Sequence, residues 1–134
     1  MKKIYGLILK TLLLVFIGLT VTGCEGADLF VGTTDISTNN HWRFTARRAN
    51  GQQTLTRSLN QEDLRNFTVN STIESGEMFL ILSQGGSRQT INLGGGEMTL
   101  SADDIGLDEF EPGSIRMQLD FVEARGATVY IRWR

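Results

Sequence analysis

The chain has 134 residues, a formal charge of −2 at neutral pH, 40% hydrophobic and 8% aromatic residues, and one cysteine. That length suits one domain with one core. A single cysteine excludes an internal disulfide, and the aromatic content excludes disorder throughout. The only lysines, Lys2, Lys3 and Lys10, lie at the start, so beyond them arginines alone stand against all fifteen acids. A net acidic body is repelled by nucleic-acid phosphates and anionic lipid headgroups, so neither is an expected partner.

Lys2 and Lys3 form a positive start, and Leu12, Leu13, Leu14, Val15, Phe16, Ile17 and Leu19 follow as an apolar run of signal-peptide length. A permanent span needs about 20 apolar residues, and Lys10 falls inside such a window. Small residues then lead to Cys24. Val21-Thr22-Gly23-Cys24 resembles the bacterial lipobox, an aliphatic residue and two small ones before the cysteine, with Thr22 larger than the alanine or serine common there. The resemblance covers residues 1–24. It implies an N-terminal signal helix, removal of residues 1–23, and a diacylglyceryl thioether on Cys24. One acyl chain gives marginal, reversible membrane binding, while two or more hold stably. Glu25 occupies the place of the aspartate that marks the best-known inner-membrane retention signal.

Residues 24–40 are rich in Gly, Thr, Ser and Asn, which predicts a lipidated N-terminus and a flexible spacer. Within it, Leu29-Phe30-Val31 is a candidate short strand that would shorten the tether. From His41 the pattern turns to period two, and residues 41–134 form the expected domain. Trp42, Phe44 and Ala46 alternate with Arg43, Thr45 and Arg47, as in a half-buried strand. Asn50-Gly51 predicts a hairpin, since both central residues of a type I′ turn need positive φ. The return strand is Thr54 to Leu59. Asn60 then caps at most one helical turn over Gln61–Leu64, too short to stand as a helix.

Phe67, Val69, Ser71 and Ile73 mark a third strand. Met78 to Leu82 is apolar on both faces and predicts a strand covered on both sides. Gly85-Gly86-Ser87 turns the chain into Arg88–Leu93, and Gly94-Gly95-Gly96 precedes a short strand at Met98–Leu100. Ala102 to Gly113 reads as the longest loop. Ile115 to Phe121 and Ala127 to Trp133 alternate as two last strands across a turn near Arg125-Gly126. These seven or eight short strands, with no helical periodicity after the signal, predict an all-β fold, an antiparallel β-sandwich or jelly roll. Glu74-Ser75-Gly76, Phe110-Glu111-Pro112-Gly113 and the closing Gly126-Ala127-Thr128-Val129-Tyr130-Ile131 resemble secreted bacterial jelly-roll modules, of the pre-peptidase C-terminal-like and carbohydrate-binding-like kinds. That likeness spans roughly residues 55–134 and implies a fold more than a ligand.

Material for chemistry is sparse. His41 is the only histidine, and at the edge of the spacer it reads as a surface residue rather than a general base, which argues against a triad hydrolase. Asp103, Asp104, Asp108, Glu109 and Glu111 crowd one loop, and clustered carboxylates suit calcium, but their spacing does not match an EF-hand loop. A calcium site would draw on Asp103, Asp104, Asp108 and Glu109. Glycoside hydrolysis would need two carboxyls about 5–10 Å apart across a cleft, which a loop on so small a domain does not suggest. Trp42 and Trp133 share faces with apolar residues and read as core. Tyr130 lies on the opposite face with Arg132, where a sugar or an anion would rest.

The reading is therefore a membrane-anchored envelope lipoprotein with a non-catalytic binding or structural role. Its partner is the lipid bilayer, through acylated Cys24, at the cell membrane or the outer membrane. A calcium- or carbohydrate-binding module is the alternative, and a small envelope hydrolase stands behind it. No cofactor is expected; calcium enters only with that alternative.

Overall fold

The structure, a computed structural model, describes residues 28–134. The lipobox and the expected signal helix lie outside the described residues. Eight strands follow in order: β1 (Leu29–Val31), β2 (Thr34–Ser37), β3 (His41–Leu59), β4 (Thr68–Thr72), β5 (Ser75–Gln84), β6 (Ser87–Asn92), β7 (Glu97–Ser101) and β8 (Gly113–Arg132). Two short helices interrupt them, α1 (Gln61–Asn66) after β3 and α2 (Ala102–Ile105) after β7, with a 3₁₀ turn at Leu107–Glu109.

The architecture hangs on β3 and β8, which pair antiparallel along nearly their whole length. Residues 41–49 of β3 run beside the C-terminal half of β8, and residues 51–59 beside its N-terminal half. Each half recruits different neighbours. β1 and β2 pair with the first half of β3, while β4 and then β7 extend from the C-terminal half of β8. β5 and then β6 extend from the N-terminal half of β8. The inward faces of both halves merge into one cluster that includes Trp42, Phe44, Phe67, Val69, Met78, Leu80, Met117, Leu119, Ile131 and Trp133. The result is an antiparallel all-β sandwich whose two layers share the same two strands.

The strand count matches expectation, but its composition does not. Asn50-Gly51 makes no hairpin. β3 continues through it for 19 residues, with a register shift between Ala49 and Gly51. Arg125-Gly126 likewise lies within β8, which runs for 20 residues. The positive φ that a turn would have used, 129° at Gly51 and 58° at Gly126, instead bends each strand from one layer into the other. Inward positions in β8 fall at 121, 124 and 127 rather than at every second residue, the signature of two extra residues at the corner.

Leu29-Phe30-Val31 forms the candidate short strand, and β2 falls where only spacer was expected. β1 and β2 are antiparallel partners of β3, and the Phe30 ring meets those of Phe44 and Phe121 edge-on at 6.0 and 6.1 Å. Burial of that ring draws the segment onto the sandwich, since apolar area removed from water stabilises by roughly 25 cal/mol per Å². The indoles complete the attachment. Trp42 Nε1–H donates to Asp35 Oδ1, and Trp133 Nε1–H donates to the Asn39 carbonyl, both at 2.7 Å. Both tryptophans are core residues as expected, 2% and 1% exposed.

α1 is longer than the single turn anticipated. Asn60 accepts from the Asp63 amide at 2.8 Å while the Asp63 carboxylate accepts from the Asn60 amide at 2.9 Å, a reciprocal capping box. The stretch 102–110 is no open loop either. Ile105, Leu107 and Phe110 are buried in the core cluster, so α2 and the 3₁₀ turn plug one end of the sandwich.

Candidate functional site

The two layers present outward faces that register assigns residue by residue. On the layer built from β2, β3, β8, β4 and β7, one cross-strand row reads Ile36, Arg43, Tyr130, Asn70 and Thr99. The row beside it reads Thr34, Thr45, Thr128, Thr72 and Glu97, and on the other side His41, Arg132, Thr68 and Ser101 are neighbours. Five antiparallel strands thus display hydroxyls, one amide, Ile36 and the charged Arg43, Arg132 and Glu97, with Tyr130 on the central strand and His41 diagonal to it on β3. His41 and Tyr130 stack at 5.3 Å between ring centroids, tilted by 39°. Tyr130 is half-buried and its neighbours Arg43 and Arg132 are exposed.

Arg132 does not project freely. Its Nε–H donates to the Arg134 carbonyl at 2.7 Å, which holds the guanidinium along the strand. His41 is fixed by Thr38, whose Oγ lies 3.1 Å from Nδ1. That hydroxyl also accepts from the amides of Asn40 and His41, both at 3.2 Å, so it is the hub of a local turn. Of the two residues expected to meet a ligand, Tyr130 and Arg132, both stand on this face. His41, Arg43 and Asn70 join them through strand pairing across β3, β8 and β4. Outward parity was readable for each of these residues singly; which strands lie side by side was not.

Asp103, Asp104, Asp108 and Glu109, the ligands of the alternative calcium reading, lie on α2 and the 3₁₀ turn. Among the described residues no group of three or more His, Cys, Asp or Glu side chains is placed to hold a metal ion. Asp104 is occupied: its carboxylate accepts from the Ser101 amide at 2.9 Å and the Ser101 hydroxyl at 3.0 Å, and these bonds hold its carboxyl below the ordinary range. Asp103 and Asp108 line one recess of about 410 Å³, but Arg65 lines it too and competes with any cation. Asp108 and Glu109 are exposed. The acids are the solvated side of a plug whose apolar side is buried, and that amphipathic split explains their clustering.

A second concavity, a shallow cleft of about 780 Å³, lies where β3 and β8 bend. Leu29, Arg48, Glu77, Val122, Glu123 and Arg125 line it. Arg48 and Arg125 are direct cross-strand partners. Glu123 has a φ of 46°, the one non-glycine residue of positive φ among those described, and its amide donates to Asn50 Oδ1 at 3.2 Å. Nothing in the alternation pattern announced this cleft, because it arises from the strand bends.

Away from both, Asp63 is 2% exposed and accepts from Arg134 Nε at 2.8 Å and Nη2 at 3.3 Å. The Arg134 hydrogen bond leads the causes that hold the Asp63 carboxyl below its ordinary value, against an opposing push from burial, and Asp63 raises Arg134 in return. This pair ties α1 to the end of β8.

No protein-family model matches the chain, and no curated protein matches it. Among solved structures it is similar to TmCBM61 in complex with β-1,4-galactotriose, at 12% identity and a TM-score of 0.36, covering 75% of this chain and 66% of that one. It is also similar to a protein of unknown function (DUF1255) from Acidithiobacillus ferrooxidans, at 12% identity and a TM-score of 0.29, covering 79% of this chain and 95% of that one. Likenesses this distant carry no argument about ligand or activity.

Proposed function

We propose that the chain is an exported, lipid-anchored envelope protein whose sandwich binds a glycan without catalysis. The observation that supports the binding role is the row Arg43–Tyr130–Asn70, with His41 stacked beside Tyr130, on a five-stranded face. Sugars offer hydroxyls in a ring plane and C–H groups on its faces. An aromatic ring answers the C–H face, while guanidinium, amide and hydroxyl groups answer the rim. Thr128, two residues before Tyr130 on β8, pairs with Thr45 and Thr72, so the face on that side of the ring is polar.

The anchor rests on residues 1–24: a basic start, an apolar run and Val21-Thr22-Gly23-Cys24. Acylated Cys24 would place the domain at the cell membrane or the outer membrane. The non-catalytic reading rests on His41, which is engaged by the Thr38 turn, while the Thr38 hydroxyl already accepts two amides. A nucleophilic hydroxyl needs a free lone pair as well as a base within reach, and the Thr38 oxygen spends both of its lone pairs on those amides.

A glycan array with the purified domain tests the binding role. The expected result is a set of bound glycans whose affinity falls about tenfold or more in Tyr130→Ala, equivalent to about 1.4 kcal/mol or more. Arg43→Ala should weaken the same glycans. Silence across the array, or binding indifferent to Tyr130, contradicts the reading.

A further inference from the structure

Four side chains stand out as large, apolar and exposed: Leu29 (51%), Val31 (41%), Ile36 (46%) and Val122 (47%). Three of them gather at one place. Leu29 and Val122 line the same cleft at the strand corner, and Val31 follows Leu29 on the same side of β1. Phe30, between them, points the other way into Phe44 and Phe121, so β1 is pinned with Leu29 and Val31 facing out. Among the described residues β1 pairs with β3 alone, and none of them covers its other edge. Arg48 and Arg125 stand beside this patch with Glu77 and Glu123, so its charges balance.

The position of the patch along the chain supplies an occupant. Cys24 and Asp28 are four Cα–Cα steps apart, and four residues reach at most about 14 Å when fully extended. Asp28 directly precedes β1. If Cys24 carries acyl chains, β1 and the corner it lies on cannot sit farther from the headgroups than that. A domain on so short a leash must present one particular side to the membrane, and the side it presents holds Leu29, Val31 and Val122.

We propose that this apolar edge rests on the bilayer surface, with Leu29, Val31 and Val122 in contact with the interface; the inference rests on the lipid-anchor reading. The balanced arginines and carboxylates suit a zwitterionic surface, whereas the net acidic body disfavours an anionic one. Tyr130 pairs with Arg43, five residues along β3 from Arg48. At about 3.3 Å per residue Tyr130, at the heart of the glycan face, therefore lies about 17 Å along the strand from the docked corner. Docking would hold that face clear of the headgroups in a defined orientation, rather than leaving it to swing on a loose tether.

The test uses the full chain purified from the membrane fraction, with Cys24 acylation checked by mass, reconstituted in phosphatidylcholine vesicles. Single cysteines replace Leu29, Val122 or, as a control in the plug at the opposite end, Asp108, and each carries an environment-sensitive fluorophore. The expected result is blue-shifted emission at 29 and 122, with quenching by headgroup-spin-labelled lipid several-fold stronger than at 108. Leu29→Glu should reduce the quenching of the reporter at 122 while the protein stays with the vesicles. Acylated protein with equal, water-like emission at all three positions overturns the docking and leaves the anchor standing. Unmodified Cys24 overturns both. A blue shift at 29 and 122 without lipid quenching, on particles of dimer size, assigns the edge to a second copy of the chain and overturns the proposal.

Discussion

The indole nitrogen of Trp42 donates to the Asp35 carboxylate at 2.7 Å, joining the largest buried side chain of β3 to an exposed strand that composition alone reads as spacer. A buried indole N–H needs a partner. Here the partner comes from β2, in register opposite the strand that carries the tryptophan. The core therefore fixes the path of residues 34–37, and the domain begins close to its proposed anchor instead of at the end of a long leash.

Asp35→Ala should leave that indole without an acceptor and lower stability by about 1–2 kcal/mol, the cost of an unpaired buried donor. Asp35→Asn keeps an acceptor oxygen and should lose less. Thermal melts of both variants check the ranking, and amide exchange of residues 34–37 should quicken in the alanine variant alone.

Asp63 makes stability depend on pH in a stated direction. Its carboxyl is held below its ordinary value, chiefly by the Arg134 hydrogen bond. The folded state therefore binds that proton less readily than the unfolded chain. Its contribution is complete above the unfolded value of about 4 and is lost as pH falls through the lower folded value. Asp63→Asn should melt a few degrees lower at neutral pH. The gap from the parent should close as pH drops below about 4, and melting curves between neutral and pH 2 would show it.

Ser71 has a hydroxyl buried in the sheet with no hydrogen-bond partner among the described residues. It sits at an inward position of β4 between Val69 and Ile73. Burying an unpaired hydroxyl costs about 1–3 kcal/mol in proteins. Ser71→Ala should accordingly be neutral or raise stability by about 1 kcal/mol, an outcome that a denaturant titration measures directly.

The corner depends on Gly76, which has a φ of 89° and whose added Cβ would strike the Glu123 carbonyl. Gly76→Ala combines an unfavourable backbone conformation with that clash, and should cost about 2 kcal/mol or more. Because Gly76 and Glu123 both line the corner cleft, the same variant should disturb amide exchange at Ala49–Gly51 before that at the Tyr130 face.

Much of the sandwich was legible because period two is a direct consequence of strand geometry. Phe67, Val69, Ser71 and Ile73 are all buried, as their alternation implied. The run from Met78 to Leu82 is central in its layer, between β8 and β6, with Met78, Leu80 and Leu82 in the core and Phe79 half-buried on the other face. The corners were not legible. Asn50-Gly51 has the chemistry of a hairpin turn, and only the long pairing of β3 with β8 makes it a bulge. The platform was half legible: Tyr130 and Arg132 were placed outward by parity, but the meeting of Tyr130 with His41 and Arg43 depends on strand order, which pattern does not encode. The acidic stretch could be read either way, because carboxylate density measures solvent exposure as readily as metal affinity.

The proposed anchoring of this sandwich at a membrane underlies both its proposed role and its proposed orientation, and the state of Cys24 tests it most directly. Mass spectrometry of the protein from the membrane fraction should find a chain that begins at Cys24 and carries a diacylglyceryl thioether. A chain that retains residues 1–23 with an unmodified Cys24 thiol would contradict the account.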